Sequence, residues 1–172
     1  MEHGQFQIYT GNGKGKTTAA VGLIVRAAGA GLRCYLGQFI KDLVSPEVEV
    51  LRTLPGVTAE LYGRGKGCLT GPIGPEDVEA AQEGLRKIQD AVQSGRYDLV
   101  VADEINVAWS LGLLTEDELT EVIRRRPDSV ELVFTGRSAP QSVLKEAGLS
   151  TEMREVRHYY TTKGLTARRG ID

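Results

Sequence analysis

The sequence predicts an α/β fold in which helices flank a mostly parallel central sheet. Short apolar runs alternate along the chain with longer amphipathic stretches, the order of elements that builds β-α-β units. Several apolar runs are nearly continuous in apolar and aromatic residues, as is typical of strands covered on both faces. A glycine-rich segment, residues 11–15, joins the first apolar run to the first amphipathic stretch.

The apolar runs predict five strands and one shorter extended piece. The five strands cover residues 5–10, 33–39, 57–61, 98–102 and 131–135. The shorter piece lies within residues 151–156.

Capping signals predict the helices between these strands. The first helix covers residues 17–28 and ends at Gly29 and Gly31, which suit the left-handed C-cap conformation. The second begins at Pro75 and runs to about residue 93, because proline is favoured in a first helical turn. Acidic residues at 76 and 77 suit the helix dipole there.

The later helices follow from similar signals. Thr115 and Glu118 form a capping box that starts a helix ending near Arg126. A short helix is predicted around Trp109, whose ring we expect to pack in the core or at a dimer contact, and a last helix follows Pro140.

Length, composition and charge set the class of protein. The 172 residues are 41% apolar, and 21 Lys and Arg against 23 Asp and Glu leave a formal charge of −2. This predicts a single domain over residues 1–172 with its own hydrophobic core, and it argues against a nucleic-acid coat. No apolar run approaches the roughly 20 residues of a membrane span, and the N-terminus has no signal-peptide pattern. We therefore expect a cytoplasmic protein that does not interact with membranes.

The cysteines and histidines predict no zinc site. Cys34 and Cys68 lack C-x-x-C spacing, and His3 and His158 lie at opposite ends of the chain. Cys34 is expected to be a small core residue with a reduced thiol.

The loop after the first strand has the residue types of a phosphate-binding loop. Residues 10–18 read TGNGKGKTT and lead directly into a helix. Glycines let successive N–H groups converge on phosphate oxygens, and the helix N-terminus adds partial positive charge. The full pattern G-x-x-x-x-G-K-[ST] has glycine where this chain has Thr10. The predicted nucleotide-binding residues are Asn12, Gly13, Lys14, Gly15, Lys16, Thr17 and Thr18.

A second motif supplies carboxylates at the same edge of the sheet. Residues 98–104 form an apolar strand that ends in Asp103 and Glu104. Carboxyl ends of parallel strands meet at one edge, so Asp103 and the Thr17 hydroxyl are predicted to hold Mg²⁺ or Mn²⁺. In an ATPase, Glu104 would polarise the attacking water. The two motifs together predict a P-loop NTPase domain of the RecA-like type.

The chain resembles the P-loop ATP:corrinoid adenosyltransferases, which act on cob(I)alamin and cob(I)yrinic acid a,c-diamide. The resemblance spans almost the whole chain, and Thr10 in place of the first glycine is the form that this family has. It is carried by residues 10–20, 26–29, 38–41, 103–106, 135–140, 151–158 and 170–171.

The resemblance implies an enzyme in which cobalt(I) attacks the 5′ carbon of ATP and expels triphosphate. Lys16 and a divalent ion would stabilise the leaving group, and no catalytic base is needed. The resemblance also places Arg26 near the nucleotide, Glu104 against the nucleoside or the corrinoid, and Arg137 on the phosphates. It implies a homodimer and a reductase that delivers an electron to cobalt.

Two departures from the family pattern concern the corrinoid. Where relatives carry a phenylalanine and a tryptophan that help to remove the lower ligand of cobalt, residues 63–68 read GRGKGC. Only about four residues precede the first strand, where the family has a longer extension. Arg64 and Lys66 give a cationic loop that either meets corrinoid carboxylates or phosphates, or is a solvated surface loop.

Two other functions remain open from the sequence. The first is a P-loop ATP hydrolase or small kinase in which Glu104 activates water or a hydroxyl group, and its product is ADP. The second is a non-catalytic paralogue that binds ATP or a corrinoid. The basic tail, residues 154–169, either closes over a ligand or packs on a neighbouring subunit, and the three arginines 124–126 are expected to be solvated and to compensate a helix dipole.

Overall fold

A computed structural model describes residues 3–41, 43–63 and 72–171. Within these ranges six strands form one sheet in which all pairings are parallel. The spatial order is β3-β2-β4-β5-β1-β6. The strands are β1 (Phe6–Thr10), β2 (Cys34–Phe39), β3 (Val57–Tyr62), β4 (Leu99–Asp103), β5 (Glu131–Thr135) and β6 (Leu149–Glu152).

The five predicted strands are all present within one residue at either end. The sixth was placed too late, because β6 begins at Leu149 and stops at Glu152, where its pairing with Thr10 of β1 ends. The α/β fold with a parallel sheet is therefore confirmed.

Helices cover both faces of the sheet. In the described ranges they are α1 (Lys16–Gly29), α2 (Pro46–Leu51), α3 (Pro75–Gln93), α4 (Ile105–Ser110), α5 (Glu116–Arg124), α6 (Gln141–Glu146) and α7 (Tyr159–Lys163). The sequence did not predict α2 or α7, and α6 is therefore not the last helix. At the end of α1 only Gly31 is left-handed, with φ 80°, because Gly29 still belongs to the helix.

Alternate residues of the central strands enter two separate cores. Val100 of β4 packs in the cluster beneath α3 and α5, whereas Val101 packs in the cluster beneath α1. Both side chains are fully buried. This explains why the strand sequences are nearly continuous in apolar residues, and Cys34 lies in the second core as predicted.

The capping box of α5 is confirmed. The Thr115 hydroxyl accepts a hydrogen bond from Glu118 N at 3.3 Å, and Glu118 Oε2 accepts one from Thr115 N at 2.7 Å. Beyond the helix end, Arg126 differs from the expectation of a solvated charge, because its Nη1 donates to the carbonyl oxygens of Gly4 and Val130 at 3.0 and 2.8 Å. Arg126 therefore links the residues just before β1 to those just before β5.

The strand order decides which residues meet at the carboxyl edge. β5 lies between β1, which precedes the glycine-rich loop, and β4, which ends in Asp103. Gln38 of β2 is directly paired with Asp103 on the other side. The ends of four strands thus converge in front of the N-terminus of α1. No helix in the described ranges has both the length and the apolar character that crossing a membrane requires.

Two helical glycines predict opposite effects on stability. A Cβ on Gly84 of α3 would overlap Cδ2 of Tyr62, whose ring is buried and whose hydroxyl hydrogen-bonds to that of Tyr35, so the ring cannot move freely. We expect Gly84→Ala to lower the free energy of unfolding by about 1–3 kcal/mol. A Cβ at Gly22 of α1 would have nothing within 4 Å, so Gly22→Ala should raise the free energy of unfolding by about 0.5–1 kcal/mol. Urea denaturation measures both values, and a Gly84→Ala protein as stable as wild type would contradict the packing described here.

Asp98 predicts a pH-dependent contribution to stability. Hydrogen bonds from the Arg33 side chain and backbone lower the pKa of its carboxyl from 3.8 to about 2. Since the folded-state pKa is depressed, the contribution is fully present above about pH 4 and is lost as the pH falls towards 2. The stability difference between wild type and Asp98→Asn should therefore shrink over that interval in denaturation experiments. The same change at exposed Asp90 is the control, and a difference that stays constant from pH 6 to 2 would refute the assignment.

Candidate functional site

The glycine-rich loop lies directly against the chain that follows β6. Gly13 N donates to Met153 O at 2.6 Å. A Cβ on Gly11 or Gly13 would stand 2.5 or 2.7 Å from the same oxygen. Gly11 and Gly15 also adopt φ values of 93° and 115°, which other residues rarely adopt. The glycines are therefore required by backbone conformation and by close packing, before any ligand is considered.

Thr10 occupies the place of the first glycine in the full phosphate-loop pattern. Its φ is not positive, and its backbone oxygen accepts a hydrogen bond from Met153 N at 2.8 Å. Its hydroxyl accepts one from Ala139 N at 3.4 Å. A threonine thus fits at this position and connects the loop to the segment after β5.

Lys16 curls back into the loop. Its ammonium group donates to Gly11 O at 2.8 Å and to Gly13 O at 2.7 Å. Burial lowers the pKa of Lys16, although the carboxylates of Glu104 and Asp103 oppose this. A full positive charge is therefore held at the centre of the loop by two carbonyl oxygens.

Asp103 is the most heavily bonded polar side chain of the site. It is fully buried, and its Oδ1 accepts hydrogen bonds from Thr17 at 2.9 Å and Thr135 at 2.6 Å. Its Oδ2 accepts one from Gln38 Nε2 at 3.0 Å and lies 3.6 Å from Nζ of Lys41. Residues from α1, β2, β5 and the segment that follows β2 thus orient one carboxylate.

Glu104 has a left-handed backbone with φ 60°. Its N–H donates to the Thr135 hydroxyl at 2.9 Å, and this is the same hydroxyl that donates to Asp103. This conformation is unfavourable for residues other than glycine, and the hydrogen bond helps to hold the Glu104 backbone in it. Thr135 therefore orients both acidic residues.

The Glu104 carboxyl lies among several charged groups. Burial raises its pKa above the ordinary value, and the charge on Asp103 raises it further. Lys41, Lys16 and Arg137 act in the opposite direction, in that order. The site therefore combines two carboxylates with three cations.

These residues border a cleft of about 660 Å³. The predicted nucleotide-binding residues of the loop all line it, and Glu104 and Arg137 line it too. Asp103 lies beneath it, in contact with Thr17. Other lining residues come from the segment after β2 and from the tail: Lys41, Ser45, Pro46, Glu47, Glu155, His158, Gly170 and Ile171.

Arg26, which the family resemblance places near the nucleotide, lies apart from the other predicted site residues. It lies in the last turn of α1, is exposed and does not line the cleft. Ten residues separate it from Lys16 along one helix, which corresponds to about 15 Å at 1.5 Å per residue. Within this protomer Arg26 therefore lies away from the phosphate loop.

Three buried or partly buried partners were not assigned a role from the sequence. Gln38 and Lys41 lie in a segment that carries the family resemblance, and Thr135 ends β5, but no motif spacing links them to Asp103. The signal that could have found them is their position at strand ends of the same sheet edge. It becomes readable only once the strand order is known.

The tail packs against the phosphate loop of its own chain. Lys14 Nζ donates to the Tyr159 hydroxyl at 3.1 Å and to Ile171 O at 2.8 Å. The Tyr159 ring also faces the Arg168 guanidinium, 4.8 Å from the ring centroid. The cationic loop at Arg64 and Lys66, and Cys68 with it, lies outside the described residues.

The oxygen atoms beneath the loop fit a magnesium site. Thr17 and Asp103 supply a hydroxyl and a carboxylate, and Mg²⁺ is usually held by one or two such ligands together with substrate phosphates. No group of three or more His, Cys, Asp or Glu side chains in the described part of the chain forms a separate metal cage.

Comparison with known proteins identifies the family. The profile described as "ATP:corrinoid adenosyltransferase BtuR/CobO/CobP" matches residues 2–172. The chain belongs to this family. It is accordingly an enzyme of the group that transfers the adenosyl moiety of ATP to a corrinoid.

Individual relatives agree with this assignment. A corrinoid adenosyltransferase of Pseudomonas aeruginosa is 32% identical over 99% of this chain and 84% of its own. An uncharacterized protein of Nostoc sp. is 34% identical over 94% of this chain, which spans only about half (47%) of that longer protein. The flagellar accessory protein FlaH from Methanocaldococcus jannaschii shares the fold, with a TM-score of 0.58 at 14% identity, covering 88% of this chain and 72% of its own.

The geometry predicts a specific effect of Asp103→Asn on metal-dependent binding. Removing the charge should abolish most of the increase in ATP affinity that Mg²⁺ produces, on the order of tenfold, because a carboxylate attracts the cation far better than an amide does. Gln38 can accept the new amide N–H, since its own Oε1 has no partner, so the fold should persist. Calorimetric titration with ATP, with and without Mg²⁺, measures this. A Mg²⁺ effect equal to that of wild type would exclude Asp103 as a ligand.

Proposed function

We propose that the cleft binds ATP together with a divalent cation and presents the 5′ carbon of ATP to cobalt(I) of a corrinoid. The observation that carries this proposal is the convergence of Thr17 and Asp103 beneath a glycine loop that also holds Lys16. Family membership supplies the chemistry, and this convergence supplies a place for the triphosphate.

The loop would bind the phosphates through backbone N–H groups and the N-terminus of α1. Lys16 currently donates to two loop carbonyls, so phosphate oxygens would replace Gly11 O and Gly13 O as its acceptors. Arg137, which directly follows Gly136, also lines the cleft and would contact the phosphates.

Thr17 and Asp103 would hold Mg²⁺ or Mn²⁺, which neutralises part of the charge on the triphosphate when bound. Thr135 and Gln38 keep the Asp103 carboxylate aimed at Thr17, since their hydrogen bonds fix both of its oxygens. A carboxylate held in this way needs no rearrangement when the cation arrives.

The transfer forms a cobalt–carbon bond and breaks the C5′–O bond of ATP. The electron pair of cobalt(I) makes the new bond, cobalt becomes formally cobalt(III), and the electron pair of the broken bond leaves with triphosphate. No proton has to be removed, so the residues act by position and charge. Glu104, on the cleft wall, would contact the nucleoside or the corrinoid.

Further expectations accompany this proposal. We propose that residues 1–172 act as one nucleotide-binding domain, that the enzyme is a homodimer in the cytoplasm, and that a reductase supplies the electron that produces cobalt(I). The support is the family resemblance and the single sheet that all described strands share.

An anaerobic assay with ATP, Mg²⁺ and pre-reduced corrinoid tests the reaction. We expect the visible spectrum to change to that of the light-sensitive adenosyl form, with one triphosphate released per product. Lys16→Ala should reduce the rate at least about a hundredfold, because it removes the charge nearest the leaving group. Lys145→Ala, an exposed lysine on α6 outside the cleft, is the matched control.

The other functions give different products in the same assay. ADP and phosphate formed without a corrinoid would indicate a hydrolase in which Glu104 activates water. ATP binding without any adenosylated product, even with cobalt(I) supplied, would indicate a non-catalytic paralogue. Either result would refute the proposed transfer.

A further inference from the structure

Lys41 contacts Asp103 and acts electrostatically on Glu104, although no motif assigns it a role there. It follows β2 directly after Ile40, whose φ of 70° turns the chain at the strand end. Its Nζ stands 3.6 Å from Asp103 Oδ2, and its side chain, 25% exposed, lines the cleft. The chain therefore leads this ammonium group towards the floor of the cleft.

Lys41 is the cation that pairs with the Asp103 carboxylate. The hydrogen-bond donors to Asp103 are the uncharged side chains of Thr17, Thr135 and Gln38. Lys16 donates instead to loop carbonyls. Within the described ranges, Lys41 alone brings a full positive charge within 4 Å of the buried carboxylate.

A divalent cation on Asp103 would compete with Lys41 for the negative charge of this carboxylate. The cation and the ammonium group would share one carboxylate at a few ångströms, where like charges repel strongly in a partly buried site. Binding of the cation would therefore favour release of Lys41 from Asp103. Its contact is an ion pair at 3.6 Å, longer than a hydrogen bond, so the flexible side chain is not locked in place.

The cleft offers the released ammonium group one suitable class of acceptor. Lys41 already has the largest effect among the three cations that act on the Glu104 carboxyl, so Glu104 offers the ammonium group no new negative charge. Phosphate oxygens along the loop would carry several negative charges. An ammonium group can pair with them from many directions, because it does not need the fixed geometry of a guanidinium group. The lysine and the phosphates would then lie on the same wall.

We propose that Lys41 is a further polyphosphate-binding residue, which pairs with Asp103 and transfers to phosphate oxygens when a divalent cation takes its place. This inference rests on the proposed function, because it requires the triphosphate of ATP to lie along the loop. Lys41 thereby makes cation binding and polyphosphate binding depend on each other.

The test compares wild type with Lys41→Met, which keeps the length of the side chain and removes its charge. Electron paramagnetic resonance measures the binding of Mn²⁺ alone, and calorimetry measures the binding of tripolyphosphate in the presence of Mg²⁺. We expect Mn²⁺ alone to bind at least threefold more tightly, since the competing cation is gone. We expect tripolyphosphate to bind at least tenfold more weakly, since a phosphate contact is lost. Lys145→Met is the matched control and should change neither value.

The two affinities are expected to change in opposite directions, which distinguishes the exchange from damage to the fold. Damage to the fold would weaken the binding of both ligands. If either affinity of Lys41→Met stays within twofold of wild type, or if both fall, the exchange is wrong. Lys16→Ala separates this inference from the proposed function. Should Lys16→Ala abolish tripolyphosphate binding while Lys41→Met does not change it, only the role of Lys41 fails. Should wild type not bind tripolyphosphate at all, the phosphate site itself fails.

Discussion

The site depends on one buried charge, the carboxylate of Asp103. An isolated carboxylate in a protein interior is strongly unfavourable unless hydrogen bonds and an opposite charge compensate it. Here Thr17, Thr135 and Gln38 provide the hydrogen bonds, and Lys41 provides the charge. These partners come from α1, from β5, and from β2 with the segment that follows it. The carboxylate is therefore compensated only when these parts of the fold are correctly placed relative to one another. The same requirement brings the phosphate loop and the wall of the cleft together.

The neighbouring backbone shows how closely the parts fit. Glu104 adopts a left-handed conformation, and the Thr135 hydroxyl that orients Asp103 also accepts its N–H. On the other side, the phosphate loop leaves no room for a side chain at Gly13, because Met153 O lies against it. The tail after β6 is thus part of the loop's support. A change at Met153 would therefore be expected to alter the conformation of the loop.

The sequence predicted those parts of the fold and site that depend on neighbours along the chain. Apolar runs gave the strands, the Thr115–Glu118 pair gave a helix start, and the spacing from Gly15 to Thr17 gave the phosphate loop. What it could not predict depends on the strand order, since only the placement of β5 between β1 and β4 brings Thr135 to Asp103. The position of Arg26 shows the complementary limit of reading a sequence. Arg26 is close to Lys16 in sequence, but a straight helix carries it away from the cleft.

Two of the cations that line the cleft already contact oxygen atoms of the protein. Lys16 donates two short hydrogen bonds to carbonyls, and Lys41 makes a longer ion pair. Binding a polyphosphate is therefore an exchange of acceptors, and its free energy is the difference between phosphate contacts and these internal ones. Carbonyl oxygens are uncharged, so Lys16 gains from any phosphate. Moving Lys41 to a phosphate is favourable only if something else neutralises Asp103. Otherwise the carboxylate would be left buried and unpaired, and this cost would offset the new contact. A divalent cation meets that condition, and the buried carboxylate thus explains why nucleotide and metal should bind this cleft together.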